Sequence, residues 1–158
     1  MNRRALMLTL ISISLAGCTS MQTPRTVTQV IAADPELSTL NDLIKESGLG
    51  ETLSGPGPFT IFAPTNAAFK AVPPKTMSEL AANKEMLRSV LTFHVLPVTA
   101  GVADVKTVNV KTVNGANLAL ARAGSFVTVD DAMVTTADKV AGNGVVHVID
   151  RMLLPPKR

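Results

Sequence analysis

The sequence predicts an α+β fold, because helical and strand-like patterns occupy different halves of the chain. Between residues 37 and 95, apolar side chains in two stretches recur every three or four positions, which is the spacing of one helix face. From residue 102 onward, apolar side chains alternate every second position, which is the spacing of a half-buried strand. This segregation favours an α+β fold over a parallel βαβ sheet, in which helices and strands alternate.

The chain begins with the pattern of a secretory signal peptide. Arg3 and Arg4 precede an apolar run at residues 5–15, which is too short to span the roughly 30 Å hydrocarbon core of a bilayer. The sequence LAGC at residues 15–18 then resembles a bacterial lipoprotein cleavage site, and Cys18 is the only cysteine in the chain. These features predict export followed by lipidation.

We expect cleavage of the signal peptide, residues 1–17, to leave Cys18 as an acylated N-terminus. The alternative is an ordinary signal peptide followed by an unmodified cysteine, which would export a lone free thiol. Two or more acyl chains hold a protein on a membrane almost permanently, so the membrane is the first expected partner. Thr19 stands where many Gram-negative lipoproteins carry an aspartate that retains them at the inner membrane. The expected location is therefore the cell envelope, with the outer membrane favoured.

Three segments are predicted after the cleavage site: a flexible tether at residues 18–28, one domain at 29–155 and a short basic tail at 156–158. Loss of Arg3 and Arg4 lowers the formal net charge from +3 to +1. A nearly neutral chain without Trp or Tyr lacks the basic, aromatic surface that nucleic acids require. We therefore expect no binding of nucleic acid. The domain is also expected to be monomeric.

The first predicted helix precedes Gly48, which stands where a helix would end. Its apolar stripe is typical of core packing and consists of Leu37, Leu40, Leu43 and Ile44.

Residues 57–69, with the sequence GPFTIFAPTNAAF, contain three of the five phenylalanines of the chain. A turn at residues 56–58 precedes a short strand with bulky side chains on both faces. Pro64 lacks the N–H that a strand ladder needs, and Thr65 can cap a helix that begins at Asn66. Because aromatic side chains bury large areas, we predict that this stretch is the packing centre of the fold.

Two further helices are expected before the strands. A short helix through Leu80 can be capped by Thr76 or Ser78, and a longer helix starts near Lys84. The inward face of the longer helix is predicted to carry Leu87, Val90, Leu91, His94 and Val95.

Five strands are expected in the second half, at residues 106–113, 118–122, 126–130, 133–137 and 144–153. Hairpin turns are predicted at Asn114-Gly115 and at Asp130-Asp131.

Sequence motifs for catalysis are absent, including those of nucleophilic hydrolases, zinc proteases and phosphate-binding loops. A zinc site would have to recruit His94, His147 and carboxylates. His147 shares a strand face with Val145 and Ile149, which favours a packing role. We therefore expect no cofactor, no metal and no catalytic residues.

Three ordered blocks resemble the signature of the fasciclin-type (FAS1) adhesion domain: GPFTIFAPTNAAF at residues 57–69, LTFHVLP at 91–97 and NGVVHVIDRMLLP at 143–155. The resemblance implies a single domain built as a seven-stranded β-sandwich or wedge, with helices packed along one edge. It also implies structural roles for the residues in these blocks, namely Phe59, Phe62, Pro64, Thr65, Asn66, Phe69, Phe93, His94, Asn143, Gly144, His147 and Asp150.

The middle block departs from the family pattern. Members usually have Tyr-His there, with the histidine held by a polar side chain of the first block, whereas this chain has Phe93 before His94. Asn66 occupies the matching first-block position. We therefore predict a hydrogen bond between Asn66 and His94, and burial that keeps the imidazole neutral.

The resemblance favours a non-enzymatic surface module that mediates adhesion or binds a protein or polysaccharide partner. Two alternatives remain open: a periplasmic small-ligand-binding protein or enzyme with a site near His94 or His147, and a purely structural envelope lipoprotein. A deep pocket converging on either histidine would favour a ligand or catalytic site, whereas a shallow surface would favour the other two functions.

Overall fold

The computed structural model describes residues 25–101 and 103–156. The signal peptide, Cys18, residues 18–24 of the predicted tether, and residues 157–158 of the predicted tail lie outside these described residues. The helices are α1 (Val27–Ala32), α2 (Ser38–Ser47), α3 (Gly50–Ser54), α4 (Asn66–Lys70), α5 (Pro74–Ala82) and α6 (Lys84–Phe93), with a 3-10 turn at Pro35–Leu37. The strands are β1 (Phe59–Pro64), β2 (Val95–Leu96), β3 (Val108–Lys111), β4 (Asn117–Ala123), β5 (Phe126–Val129), β6 (Ala132–Ala141) and β7 (Gly144–Ile149).

The seven strands form one mixed sheet in the order β2-β1-β7-β6-β5-β4-β3. β1 and β7 are parallel, whereas every other neighbouring pair is antiparallel. The sheet curls until its edges approach each other, since the Val113 N–H donates to Val95 O at 2.9 Å. The predicted combination of helices with seven strands is confirmed, but the strands form one continuous, nearly barrel-shaped sheet.

The curled sheet separates two apolar cores, because alternate side chains of a strand point to opposite faces. Ile61 and Val146 face a core that is shared with α1, α2 and α6. Phe62 and Ile149 face the second core, inside the curl, with side chains of β4 and β5. β7 is buried along its whole length because it lies between β1 and β6, and both of its faces carry valines.

The N-terminal boundary of the domain differs from the prediction. The predicted tether extends to residue 28, but α1 begins at Val27, whose side chain is fully buried. The Thr26 side chain caps this helix, and the Gln29 side chain accepts from the Thr26 N–H at 3.1 Å. Val27 and Thr28 therefore belong to the packed domain.

The observed ends of α5 and α6 also differ from the prediction, whereas the end of α2 agrees with it. α2 ends before Gly48 as predicted, with Gly48 in the left-handed region at φ 74°. α5 starts at Pro74 without a side-chain cap, so the predicted caps Thr76 and Ser78 are wrong. α6 ends at Phe93, and Val95 begins β2 instead of extending the helix.

The two predicted hairpin turns are confirmed. Gly115 lies between β3 and β4 with φ 87°, and Asp130 lies between β5 and β6 with φ 54°. Both residues lie in the left-handed region of backbone conformations, which glycine and aspartate tolerate better than most residues. β7 is shorter than predicted and ends at Ile149, since the next residue, Asp150, turns its carboxylate back to the Met133 N–H at 2.7 Å.

Candidate functional site

The starts of β1 and β7 touch at two glycines, Gly57 and Gly144. A methyl group on Gly144 would lie 2.1 Å from Phe59 O, and one on Gly57 would lie 1.9 Å from Asn143 O. No heavy atom fits at these distances, so only glycine allows the two backbones to meet. This contact sets the parallel register in which Phe59 pairs with Gly144.

Asn143 joins four parts of the chain at this point. Its Oδ1 accepts from the Val27 N–H at 2.8 Å, and its Nδ2 donates to Leu53 O and Gly55 O, each at 2.8 Å. Its backbone carbonyl accepts from the Phe59 N–H at 3.1 Å. One side chain thus fastens α1 and the end of α3 to the β6–β7 turn.

The other end of β1 is organised by Thr65 and Asn66. The Thr65 side chain accepts from the Ala68 N–H at 3.2 Å and caps α4, as predicted. Asn66 Oδ1 accepts from the Thr39 N–H at 3.0 Å, and Asn66 Nδ2 donates to Pro35 O at 2.9 Å. Because Leu37 provides no side-chain cap for α2, Asn66 supplies that cap from a distant part of the chain.

The predicted hydrogen bond between Asn66 and His94 is wrong, because both partners of His94 are backbone groups. His94 Nε2 accepts from the Leu153 N–H at 3.0 Å, and the opposite ring nitrogen, Nδ1, contacts Val90 O at 2.8 Å. An N–H cannot accept, so Nε2 is unprotonated and the proton of the neutral ring lies on Nδ1. The imidazole therefore bridges α6 and the segment after β7.

Burial keeps His94 neutral, as predicted. Burial lowers the pKa of His94 to about 4, and the hydrogen bond to Val90 O opposes that shift without overcoming it. The side chain is 2% exposed.

Acid should destabilise the domain through His94. In the unfolded chain its pKa is about 6.5, so between about pH 6.5 and pH 4 the unfolded chain binds a proton that the folded chain does not. The free energy of unfolding should therefore fall by about 3 kcal/mol as the pH drops through this interval. Urea unfolding at a series of pH values measures the loss. In the variant His94→Asn this part of the pH dependence should flatten, and equal slopes in the two proteins would contradict the assignment.

His147 is also bound to backbone on both sides of its ring. Nδ1 accepts from the Asp138 N–H at 3.1 Å, so the ring proton lies on Nε2, which donates to Ala100 O at 2.8 Å. The ring stacks on Phe62 with centroids 5.7 Å apart. His147 is 1% exposed, and it connects β7 with the loop before β3 and with β6.

Thr60 also binds the loop before β3, a role that the sequence did not indicate. It is fully buried, donates to Val98 O at 2.6 Å and accepts from the Ala100 N–H at 2.9 Å. A threonine on the same strand face as Phe62 was the available signal, but its partners lie about 40 residues away in the chain.

The other residues of the three signature blocks pack in the cores or lie at the ends of strands. Phe62 and Phe93 lie in the core inside the curl, where Phe93 fills apolar space without a hydroxyl group. Phe69 packs in the core beneath the helices, and Phe59 borders it. Pro64 ends β1 next to Ile149, and Asp150 accepts from the Met133 N–H at the start of β6.

A charged pair that the sequence did not predict holds the segment after α1 to the sheet. The Lys139 ammonium donates to the Asp34 carboxylate, and this bond lowers the pKa of Asp34. The two residues are 105 positions apart. Their pairing follows from the contact of β6 with the segment after α1, which no local pattern encodes.

Two open grooves lie at opposite ends of β1. One has a volume of about 510 Å³ and is lined by Pro56, Gly57, Pro58, Thr99, Val140, Ala141, Gly142, Asn143, Gly144 and Val145. The other has a volume of about 410 Å³ and is lined by Pro35, Glu36, Thr65, Asn66, Ala67 and Lys70. Both histidines lie inside the domain, away from these linings.

Within residues 25–101 and 103–156, no three His, Cys, Asp or Glu side chains lie close enough together to hold a metal ion. The helices of this part of the chain are too short or too polar to cross a membrane.

The fold and the three signature blocks together define a class of protein. It is an α+β domain whose two histidines are hydrogen-bonded to its own backbone, and the two grooves described above are open. The chain matches the fasciclin domain over residues 35–155. It therefore belongs to the fasciclin domain family.

Two known proteins are similar to this chain in sequence, and one solved structure is similar to it in fold. Protein sll1483 of Synechocystis sp. is 42% identical over 133 residues, which cover 83% of this chain and 74% of that protein. The cell surface glycolipoprotein MPB83 of Mycobacterium bovis is 36% identical over 133 residues, which cover 78% of this chain and 57% of that protein. A FAS1 domain pair from the insect cell adhesion molecule Fasciclin I has a similar fold, with a TM-score of 0.66 and 20% identity over 82% of this chain and 51% of that chain.

Proposed function

We propose that this protein is a non-enzymatic, lipid-anchored module of the bacterial cell envelope that mediates adhesion or binds a protein or polysaccharide partner. The observation that carries this proposal is the state of the two histidines. Each ring nitrogen of His94 and His147 is engaged by a backbone group, so neither imidazole is available as a base, a nucleophile or a metal ligand. Recognition by the outer surface of the domain is the function that this geometry supports best.

Support for the location comes from the sequence before the domain and from relatives. The LAGC sequence at residues 15–18 is followed nine residues later by Val27, the first buried residue of the described part of the chain. MPB83 is a cell surface glycolipoprotein, and Fasciclin I is a cell adhesion molecule. The proposed location is therefore the cell envelope, with the outer membrane favoured by Thr19, and the proposed partners are the membrane and an envelope protein or polysaccharide, without nucleic acid.

Cys18→Ser should release the protein from membranes, because it removes the only acylation site. Fractionation of cells expressing either protein measures the effect: the unaltered chain should sediment with membranes, and the variant should be soluble. Thr23→Ser, a similarly small change in the same segment, should leave the fractionation unchanged. Membrane retention of Cys18→Ser would contradict the anchor.

The binding function is tested with the mature Cys18→Ser chain, immobilised and exposed to envelope extracts and to a panel of polysaccharides. We expect saturable retention of an envelope component by the folded chain and loss of that retention when the chain is unfolded. Turnover of a small molecule that disappears in His94→Asn or His147→Asn would instead support a site at the histidines.

A further inference from the structure

The groove beside the β6–β7 turn lies where the chain enters the domain. The Gly142 N–H donates to Arg25 O at 2.7 Å, and Gly142 also lines the groove of about 510 Å³. The first described residue of the chain is therefore fastened at the edge of this groove.

The groove has an uncharged lining with an exposed apolar side chain at its edge. All ten lining residues are uncharged, and Pro56, Pro58 and Val140 are among them. Val140 is 75% exposed, more than any other large apolar side chain in the described part of the chain. A surface whose lining has no charged group can be covered by an apolar phase without the cost of desolvating a charge.

The proposed anchor must hold this end of the domain near the membrane. Seven residue steps separate Cys18 from Arg25, and a fully extended chain covers at most about 3.6 Å per step, or about 25 Å in total. An acylated Cys18 lies at the bilayer surface. The groove therefore cannot move further from the lipid than this short segment allows.

The opposite end of the sheet has a different character. β6 runs ten residues away from the groove, which corresponds to about 30 Å of strand. Its far end carries the exposed carboxylates of Asp130, Asp131 and Asp150. Anionic groups are poorly suited to a bilayer surface that is itself often anionic. The end with the uncharged groove is therefore better suited to face a membrane, and the end with the three carboxylates is better suited to face solvent.

We propose that the groove at the β6–β7 turn faces the lipid bilayer and that Val140 contacts its interface, so that the β5–β6 turn and the groove lined by Glu36 and Lys70 point outward. This orientation rests on the proposed lipid anchor. It assigns partner binding to the end that carries the three carboxylates, and membrane contact to the end that carries the uncharged groove and Arg25.

The test uses residues 18–158 coupled through Cys18 to a maleimide-headgroup lipid in nanodiscs. Because Cys18 is the only cysteine, attachment occurs at the natural position whether or not cells acylate it. The nanodiscs contain a lipid with a gadolinium-chelate headgroup, and broadening of methyl NMR signals is measured. Val140 and Met133 are exposed apolar residues of the same strand, so they form a matched pair of reporters.

We expect broadening to be several-fold stronger at Val140 than at Met133. Val140→Glu should reduce the broadening at the neighbouring Val145, whereas Met133→Glu should not. Equal broadening at both reporters, or stronger broadening at Met133, would overturn the proposal. So would protection of Val140 from a soluble gadolinium agent before coupling, since the groove would then be covered by residues 19–24 or by a second copy. Failure of the anchor itself would appear separately, as membrane retention of Cys18→Ser in cells.

Discussion

Gly144→Ala is expected to destabilise the domain strongly. The added methyl carbon would lie 2.1 Å from Phe59 O, so β1 and β7 would have to separate where their parallel pairing begins. Overpacking in a core typically costs about 1–3 kcal/mol, and we expect at least the upper end because the obstructing atom is backbone and cannot change rotamer. Thermal or urea unfolding measures the loss.

Gly50→Ala provides a matched control for this substitution. The nearest atom to a methyl group there is 3.9 Å away, in the Ile44 side chain, and the residue lies at the start of α3. Its stability should stay close to that of the unaltered chain. If Gly144→Ala proved as stable as Gly50→Ala, the close approach of β1 and β7 would be wrong.

Ile149→Ala is expected to destabilise the domain by about 2–5 kcal/mol, the usual cost of removing a large apolar side chain from a core. Ile149 is fully buried in the core inside the curl and lies on the central strand, opposite Val134 of β6 and Pro64 of β1. The cavity would therefore border both halves of the sheet. Urea unfolding of the mature chain measures the change.

Two variants calibrate this effect. Ile149→Val removes one methylene and should cost about 0.5–1.5 kcal/mol. Val140→Ala, on the paired strand but 75% exposed, should change stability little. A stable Ile149→Ala protein that no longer bound its partner would mean that β7 is a binding element and not a core strand.

The central block was predictable because its signals are local. Pro64 and Thr65 determine where β1 ends and α4 begins, and both effects act within a few residues. The parallel pairing of β1 with β7 was not predictable from the residues alone, since 85 positions separate Phe59 from its partner Gly144. Periodicity identifies a strand and its buried faces but does not identify its neighbour.

The start of the domain could have been predicted. Thr26 and Gln29 have the spacing of a capping box, and Val27 and Ile31 have the spacing of one helix face. The surrounding Thr and Gln residues also have the composition of a polar tether, and this composition favours a later boundary than the helix pattern does.

The partners of His94 were beyond sequence reasoning for a different reason. Asn66 has an amide of suitable chemistry, but that amide is engaged at the start of α2. Val90 O and the Leu153 N–H are backbone groups, which every residue except proline offers, so no side-chain pattern points to them. The family pattern correctly indicated a held, buried histidine and could not supply its partners in this chain.

The central claim is that the two histidines are structural and that binding belongs to the outer surface. Nitrogen-15 NMR of the imidazole rings tests it most directly, since the ring shifts distinguish the two neutral tautomers. We expect a single Nδ1–H tautomer for His94 that persists until the pH approaches about 4, and a single Nε2–H tautomer for His147. A His94 ring that exchanged between tautomers and titrated near the ordinary value of about 6.5 would be open to solvent, and it would contradict the claim by making an imidazole available for chemistry.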